Sequence, residues 1–554
     1  MSSFMVGDWR VEPGRNIIAR NGLEVHLEPR VMDLLVYFAE RPREVLSRDQ
    51  IARDVWPGSF VGDSAIATAI STLRKAFRDP RHRPQVLETI PKRGYRLIAS
   101  SSIRAPLLAV LPLRNTSQDP DGELFALGLT EALTRAVGRI PRLRVIAYTS
   151  AAGHRSADKP LRAIAADLSA RLLLTGSIAL RNKRIAMTLR LVDAAEERDL
   201  WLRDYEADVA EVISLQREIA HSVAGVLSDG PRVEEGKARR IDPDALTAYL
   251  RGRFHWWKWS AEHLDRALEY FEEAVRIDPD YGAAHAGIAD VWGAYAYHGI
   301  KSGQEVRAHA LEAARKAVEV DPASPEAHML MGMCLFAFER DWAGAEAEML
   351  LAITLNPNLG HARILYALLL ATLRRPRALD EIDLAVRLDP LNPGALLLRA
   401  WCLAARGRNA EAADDAGHLL EIDPVNVQGL QLLADLAWST RDATAFAKER
   451  AAWRHDAEIS AILMNDALGR TQALAAAADH LIRRSGGTYV SPLQTARLLG
   501  LAGRDEEALT VLEQSFARGE LIQADILQLS PAWDALRRQP RFEALRTKLG
   551  LEHP

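Results

Sequence analysis

The sequence predicts a multidomain chain: a small α+β head, an α/β middle segment and an all-α body made of repeats. Three observations carry that reading. Residues 60–96 order themselves as a helix, a basic turn and a short β-hairpin. Residues 106–228 alternate buried-strand runs with amphipathic helices. From about residue 242 onward, an Asp-Pro or Asn-Pro pair recurs at intervals near 34 residues. A chain of 554 residues has room for about three to four domains.

The head, residues 1–103, begins β-rich over 4–28, with Asn21-Gly22 as a hairpin turn signal. A helix over about 30–41 sets Val31, Leu34, Leu35 and Phe38 on a core face. Ser47 caps a second helix whose Ile51 and Val55 point inward, and Pro57-Gly58 ends it. A third helix begins after Gly62, with Asp63 or Ser64 as its cap. Its apolar residues, Ile66, Ile70, Leu73 and Phe77, form one narrow stripe at about 100° per residue. The opposite face carries Ser64, Thr68, Ser71, Thr72, Lys75 and Arg78, none of them acidic. Short hydroxyl donors beside Lys and Arg suit close approach to base edges and phosphates. Arg74, at the edge of that face, is placed to grip phosphate.

Beyond Pro84 the segment VLETI alternates up to Pro91. Lys92-Arg93-Gly94-Tyr95 then makes a basic tip, and YRLIA runs back as a second strand. Eight Lys or Arg lie between Ser71 and Arg96, against two acids, Asp79 and Glu88. The stretch reads as a recognition helix followed by a wing. An ordinary amphipathic helix with a solvated basic face would not account for the basic hairpin behind it.

These residues carry a resemblance. Residues 4–99 resemble the OmpR/ToxR-type winged-helix DNA-binding domain, through WRVEPGRNIIARNGLEVHLEPR, VMDLLVYFAERP, VLSRDQIARDVWPG, the helix with LRKAF and the wing ending KRGYRL, in that order. No receiver domain precedes this unit in the sequence, which is the layout of one-component regulators. The resemblance implies double-stranded promoter DNA as partner. It places Lys92 and Arg93 near the minor groove and backbone, with the Tyr95 ring beside or beneath the wing. It also implies that the Trp56–Gly62 loop can contact RNA polymerase, although a plain connector would look the same.

SSIRAP at 100–105 is a short linker, and residues 106–228 follow as an α/β unit. LLAVLPL, LRVIAY, LLLTGSIAL, RIAMTLRLVDA and RDLWLRDYEA read as strands; ELFALGLTEALTRAVGRI, LRAIAADLSA and VISLQREIAHSVAGVL read as helices. The segment resembles the TolB amino-terminal-like domain, through AVLPLRNTS, FALGLTEALTRA, LRVIAYTSA, LLTGSI and DLWLRDYEADVAEVISLQREIA. Its glycines are isolated rather than gathered into a phosphate-cradling loop, and His154 with Ser156 lacks a third member. A structural or sensory role is expected.

Residues 242–554 are predicted to form a tetratricopeptide solenoid. The marker pairs are Asp242-Pro243, Asp278-Pro279, Asp321-Pro322, Asn356-Pro357, Asp389-Pro390 and Asp423-Pro424, each read as the end of a helix. Twelve residues before each of the last five prolines stands Ala267, Ala310, Ala345, Ala378 or Ala412. Five before stands Ala274, Ala317, Ala352, Ala385 or Leu419. Positions seven apart share a helix face, so small residues line a tight helix–helix contact. Residues 498–519 read as a further helix pair, and 531–549 as capping helices. Phe254 to Trp259 is an aromatic cluster, assigned to packing of the first repeat on the middle unit rather than to a ligand cage. The concave face of such an array offers a site for a protein partner or effector, or for self-association.

Composition sets limits on function. Net charge is −4 overall, but residues 1–103 hold 16 Lys/Arg and 12 Asp/Glu, so the head is +4 and the remainder −8. A basic head on an acidic body fits a DNA reader whose body stays off DNA. Two cysteines, Cys334 and Cys402, cannot make a disulfide framework, which favours a reducing compartment. No leader is visible, and APLLAVLPL and ILYALLLATL are too short to span a bilayer, so the cytoplasm is expected and no membrane association. No HExxH, GxSxG or Walker pattern is present, so neither cofactor, metal nor enzymatic activity is predicted. The expected function is sequence-specific transcriptional regulation, with activation favoured by the resemblance. A tetratricopeptide scaffold whose head docks protein is the alternative, followed by a cyclase- or kinase-associated signalling protein.

Overall fold

The computed structural model describes residues 4–551 except 21, 40, 42–44, 57–62, 81–83, 92, 100–106, 141–142, 155–158, 228–238, 259, 298–299, 440–441, 443, 466–467, 486–488 and 521–523. In the head, β1 (Phe4–Val6), β2 (Trp9–Glu12), β3 (Ile17–Arg20) and β4 (Leu23–His26) form an antiparallel meander. Arg20 pairs with Leu23, so the connection is the two-residue turn that Asn21-Gly22 signals, and Gly22 takes φ of 78°. Next come α1 (Pro29–Ala39), β5 (Val45–Leu46), α2 (Arg48–Val55), α3 (Asp63–Phe77), β6 (Leu87–Ile90) and β7 (Gly94–Leu97). The last three strands make a sheet in the order β5-β7-β6. Leu34, Phe38, Ile51, Leu73, Leu87 and Leu97 are buried in one core beneath both sheets and all three helices.

Ser47 caps α2 reciprocally: its hydroxyl accepts from the Gln50 N–H, and the Gln50 side chain accepts from the Ser47 N–H. α3 is described from Asp63 onward, and its capping, expected at Asp63 or Ser64, lies at the edge of the described residues. Gly62 and the Pro57-Gly58 stop lie outside the described residues.

The middle unit contains β8 (Leu107–Val110), β9 (Arg114–Asn115), α4 (Gly122–Gly138), β10 (Arg144–Val145), α5 (Tyr148–Ala152), α6 (Leu161–Asp167), β11 (Leu172–Arg181), β12 (Arg184–Asp193), β13 (Arg198–Asp208) and α7 (Val212–Leu227). Its sheet runs β10-β8-β11-β12-β13, with β9 also on β11. β8 is parallel to β10 and β11, and β11 to β13 continue as an antiparallel meander. α4 and α7 close one face through Leu129, Leu133, Ile219 and Val223.

The body is a helical-repeat solenoid. Its first helices are α8 (Pro243–Trp256), α9 (Ala261–Ile277), α10 (Gly282–Tyr297), α11 (Gly303–Val320), α12 (Pro325–Cys334), α13 (Trp342–Leu355), α14 (Gly360–Thr372), α15 (Ala378–Leu388), α16 (Pro393–Ala404), α17 (Asn409–Ile422), α18 (Val427–Ser439) and α19 (Ala445–Ala452). Each alanine of the two sequence columns, and Leu419, has no solvent exposure. The repeated pair stops a helix for a local reason. Asp278, Asp321, Asn356, Asp389 and Asp423 each close the last turn with their N–H on the carbonyl four residues back. The proline that follows has no N–H with which to continue. Asp242-Pro243 departs from the sequence reading: Asp242 is the N-cap of α8 and Pro243 its first residue, so this pair opens a helix. At the far end, 492–517 is a helix pair and 531–549 caps the array with two 3₁₀ turns and the helix Pro540–Lys548.

One apolar core runs from Leu108 in the middle unit to Ala362 in the solenoid, so the two share an interior. The middle unit is seated on the ends of successive repeats. Asn358 Nδ2 donates to the carbonyls of Gly138 and Leu143, both at 2.8 Å, and its Oδ1 accepts from Val145 N–H. The Ala147 N–H donates to the Leu388 carbonyl. Thr149 and Ser150 hydroxyls both donate to Asp389. Trp257 lies against Tyr148, ring centroids 5.6 Å apart, so this part of the aromatic cluster packs on the middle unit. Trp259 lies outside the described residues. The inner face of the solenoid and the middle unit together line a cavity of about 1690 Å³.

Candidate nucleic-acid interface

α3 presents one face to the core and the other to solvent because its apolar residues recur at helical spacing. Ile66, Ala69, Ile70, Leu73, Ala76 and Phe77 are buried. Phe77 meets Trp9 edge-on, with centroids 5.6 Å apart, and thus anchors the helix end on the N-terminal sheet. Ser64, Thr68, Ser71, Lys75 and Arg78 are exposed together on the outer side, and Thr72 is half-buried beside them. The Thr68 hydroxyl donates to the Ser64 carbonyl and that of Thr72 to the Thr68 carbonyl. These two side chains are therefore held against the helix, with oxygen lone pairs still open.

The helix ends at a left-handed residue, Arg78, φ 55°. Asp79 follows and is buried. It accepts from the Gln85 N–H at 2.6 Å and the Leu87 N–H at 2.7 Å. Arg74 is half-buried and turned toward the wing: Nε and Nη2 donate to the Leu87 carbonyl at 3.3 and 3.0 Å, and Nη2 to Thr89 Oγ1 at 2.8 Å.

In the wing, Arg96 pairs with Glu88 directly across the β6–β7 ladder, at 2.6 Å. Arg93 is exposed at the tip; Lys92 lies outside the described residues. Tyr95 is 5% exposed, so its ring packs in the core beneath the wing, where it also lines the cleft between α3 and the wing. Gly94 is demanded by its surroundings: φ is 136°, and an added Cβ would sit 1.9 Å from the Leu46 carbonyl oxygen. The Lys-Arg-Gly-Tyr sequence of the tip thus encodes a close approach of β7 to β5.

A cleft of about 520 Å³ gathers Ser71, Arg74, Lys75, Arg78 and Thr89 with Arg48 from α2. Sequence reasoning passed over Arg48, treating α2 as support only. The available signal was a basic residue directly after the capping serine. It counted Asp79 only as one of two acids set against the basic run.

Residues 22–97 match the family described as "Transcriptional regulatory protein, C terminal". The chain is 47% identical over 94 residues to the transcriptional activator CadC of Escherichia coli (strain K12), covering 17% of this chain and 18% of that protein. It is 26% identical over 242 residues to a putative adenylate cyclase 3 of Rhizobium meliloti (strain 1021), covering 42% and 40%. It is 22% identical over 399 residues to the transcriptional regulator HilA of Salmonella typhimurium, covering 69% and 70%. The chain thus spans less than half of CadC and of the cyclase-named protein. Among the described residues no helix is long and apolar enough to cross a membrane. Family match, fold and relatives agree that residues 22–97 form a winged helix similar to the transcriptional regulatory protein C-terminal family, in a chain with the layout of an OmpR/ToxR-type regulator joined to a helical-repeat body.

Proposed function

We propose that the protein is a sequence-specific transcriptional regulator that binds promoter DNA through its head, is not an enzyme, and works in the cytoplasm as an activator. Its working divisions are residues 1–103 for DNA, 106–228 as the α/β unit and 242–554 as the repeat array. The observation that carries the reading is the outer face of α3. Ser64, Thr68, Ser71, Lys75 and Arg78 are exposed side by side, and Asp79, the acid next to them, is buried. Hydroxyls and cations at that spacing match base edges and phosphates in a major groove. Arg93, with Lys92 beside it in sequence, supplies the second contact from the wing. Arg74 and Tyr95, included in the DNA-binding set from sequence, serve it from behind rather than by touching bases.

The partners proposed beyond DNA are RNA polymerase, met by the segment around Trp56–Gly62, and a protein or effector on the repeat array. The middle unit occupies part of the array's inner face, which leaves such a partner the cavity or the outer surface. Self-association through the array belongs to the same reading.

Selection of bound fragments from genomic DNA by the full chain, followed by titration on the enriched duplex and on random duplex, tests the proposal. Specific binding well above random supports it. Equal and salt-labile binding to both, or none, removes it in favour of a scaffold whose head docks protein.

A further inference from the structure

Leu87, the first residue of the wing strand β6, has both of its backbone polar groups held by side chains from a single helix end. Asp79 takes its N–H at 2.7 Å. Arg74 takes its carbonyl with two nitrogens, at 3.3 and 3.0 Å. The Leu87 side chain is fully buried between them and the core. We infer that Arg74 and Asp79 are positioning residues that lock the wing to the recognition helix, so that the helix face and the wing tip meet DNA at a fixed separation. This rests on the DNA-binding reading above and adds to it a role for two residues that touch no base.

The argument is one of geometry and cost. The wing is a two-stranded ribbon of four residues a side, and ribbons of that size are marginal on their own in water. Among the described residues its pairing with β5 covers Val45 and Leu46. The clamp adds charge-assisted hydrogen bonds, the stronger kind, at the strand's root. Arg74 also reaches Thr89 Oγ1, and the tip begins at Pro91. A wing free to swing would be ordered at the moment of binding, and that ordering would subtract from affinity on every sequence. Arg74 has its guanidinium turned inward to a carbonyl and a hydroxyl, which is not the posture of a phosphate grip. Asp79 lies within the basic cleft, yet both its carboxylate oxygens are taken by the Gln85 and Leu87 N–H groups.

Arg74→Ala, Arg74→Lys, Asp79→Asn and Arg93→Ala in the full chain test this, together with the pair Arg74→Ala/Arg93→Ala. Hydrogen exchange without DNA comes first. Arg74→Ala and Asp79→Asn are expected to speed exchange at 87–97 while leaving 31–39 and 48–55 protected. Loss of protection throughout the head would mean a folding defect; the milder Arg74→Lys, which cannot span both acceptors, then decides, and unchanged exchange at 87–97 in it overturns the clamp. On DNA, Arg74→Ala should weaken operator and random duplex alike, by about tenfold, with the slope of log affinity against log salt unchanged. Arg93→Ala should cost less in the Arg74→Ala background than alone, because a released wing no longer delivers Arg93. A slope reduced by about one in Arg74→Ala, with additive losses, would make Arg74 a phosphate contact and overturn the inference. Failure of the unaltered chain to bind DNA, with exchange behaving as expected, would instead overturn the DNA reading and leave the clamp a feature of the fold.

Discussion

The Ser150 hydroxyl donates to the Asp389 carboxylate at 2.6 Å, although 239 residues of chain separate them. Asp389 also accepts from Thr149, and its neighbour Leu391 donates its N–H back to Ser150 Oγ. The same aspartate closes a solenoid helix and holds the middle unit. Asp389→Ala should therefore leave the buried Ser150 hydroxyl, the half-buried Thr149 hydroxyl and a loop unsatisfied, at about 2–4 kcal/mol. Urea unfolding followed by tryptophan emission should show the two units parting, as two transitions where the unaltered protein gives one.

Two groups facing the cavity between middle unit and solenoid should oppose each other in pH dependence. Burial pushes the Asp290 carboxyl up to about 7, against the pull of Arg253. Burial, reinforced by Arg253, pushes the His361 imidazole down to about 4. With its folded pKa raised, Asp290 holds its proton in the native state and loses stability as pH rises from about 4 to 7. With its folded pKa lowered, His361 stays neutral in the native state and loses stability as pH falls from about 6.5 to 4. The two slopes nearly cancel between them. Asp290→Asn should expose a stability that rises with pH up to about 6.5, and His361→Gln one that falls up to about 7. Melting temperatures across pH 4–8 check both signs, and flat profiles in both variants would refute the pairing.

On the DNA face, Ser71→Ala or Lys75→Ala should change which operator variants bind, because a base contact is worth about 1–3 kcal/mol of discrimination. Arg93→Ala or Lys92→Ala should weaken specific and random duplexes together and reduce the salt slope by about one. Titrations on both duplexes at several salt concentrations separate the two classes. A wing variant that alters preference beside a helix variant that does not would reverse the assignment.

Phe271 is wedged between two helical glycines, Gly252 on α8 and Gly287 on α10. An added Cβ would lie 2.5 Å from its ring at the first and 2.9 Å at the second. In a free helix Gly→Ala gains about 1 kcal/mol. Here the ring is fully buried and has a glycine on both sides, so it has nowhere to retreat. Overpacking of about 1–3 kcal/mol should outweigh the propensity gain, and Gly252→Ala should lower the melting temperature.

Arg497 is buried between Asp435 and Glu449, at 2.5 and 2.7 Å, and ties three helices of the C-terminal repeats. Arg497→Ala would leave two carboxylates facing each other without a cation. A loss of about 3–5 kcal/mol is expected from denaturant titration.

The elements legible in the sequence were those with a strong period or a turn signal. The two small-residue columns located the second helices of five repeats, and Asn21-Gly22 set a hairpin register. β9 and α5 were missed because runs of two and five residues carry no period. Asp242-Pro243 was misread because the same dipeptide suits both ends of a helix: aspartate caps a start, and proline fits either the first helical position or the first one beyond. Within the site, the face of α3 followed from spacing alone. The inward turn of Arg74 did not, since its partner is a backbone carbonyl thirteen residues away, and no side-chain pattern announces a carbonyl.

The long separation between Ser150 and Asp389 has a consequence in time. Ribosomes add roughly 5–20 residues per second, so the face that Asp389 will cover waits on the order of 10–50 s after its own synthesis. The head has no such wait, since its core closes within the first hundred residues. A nascent chain can hold a finished head for most of a minute while the rest is still being made or only half covered. That interval is when chaperones would matter most, and when a stalled or truncated product would carry a folded winged-helix head without the units that follow it.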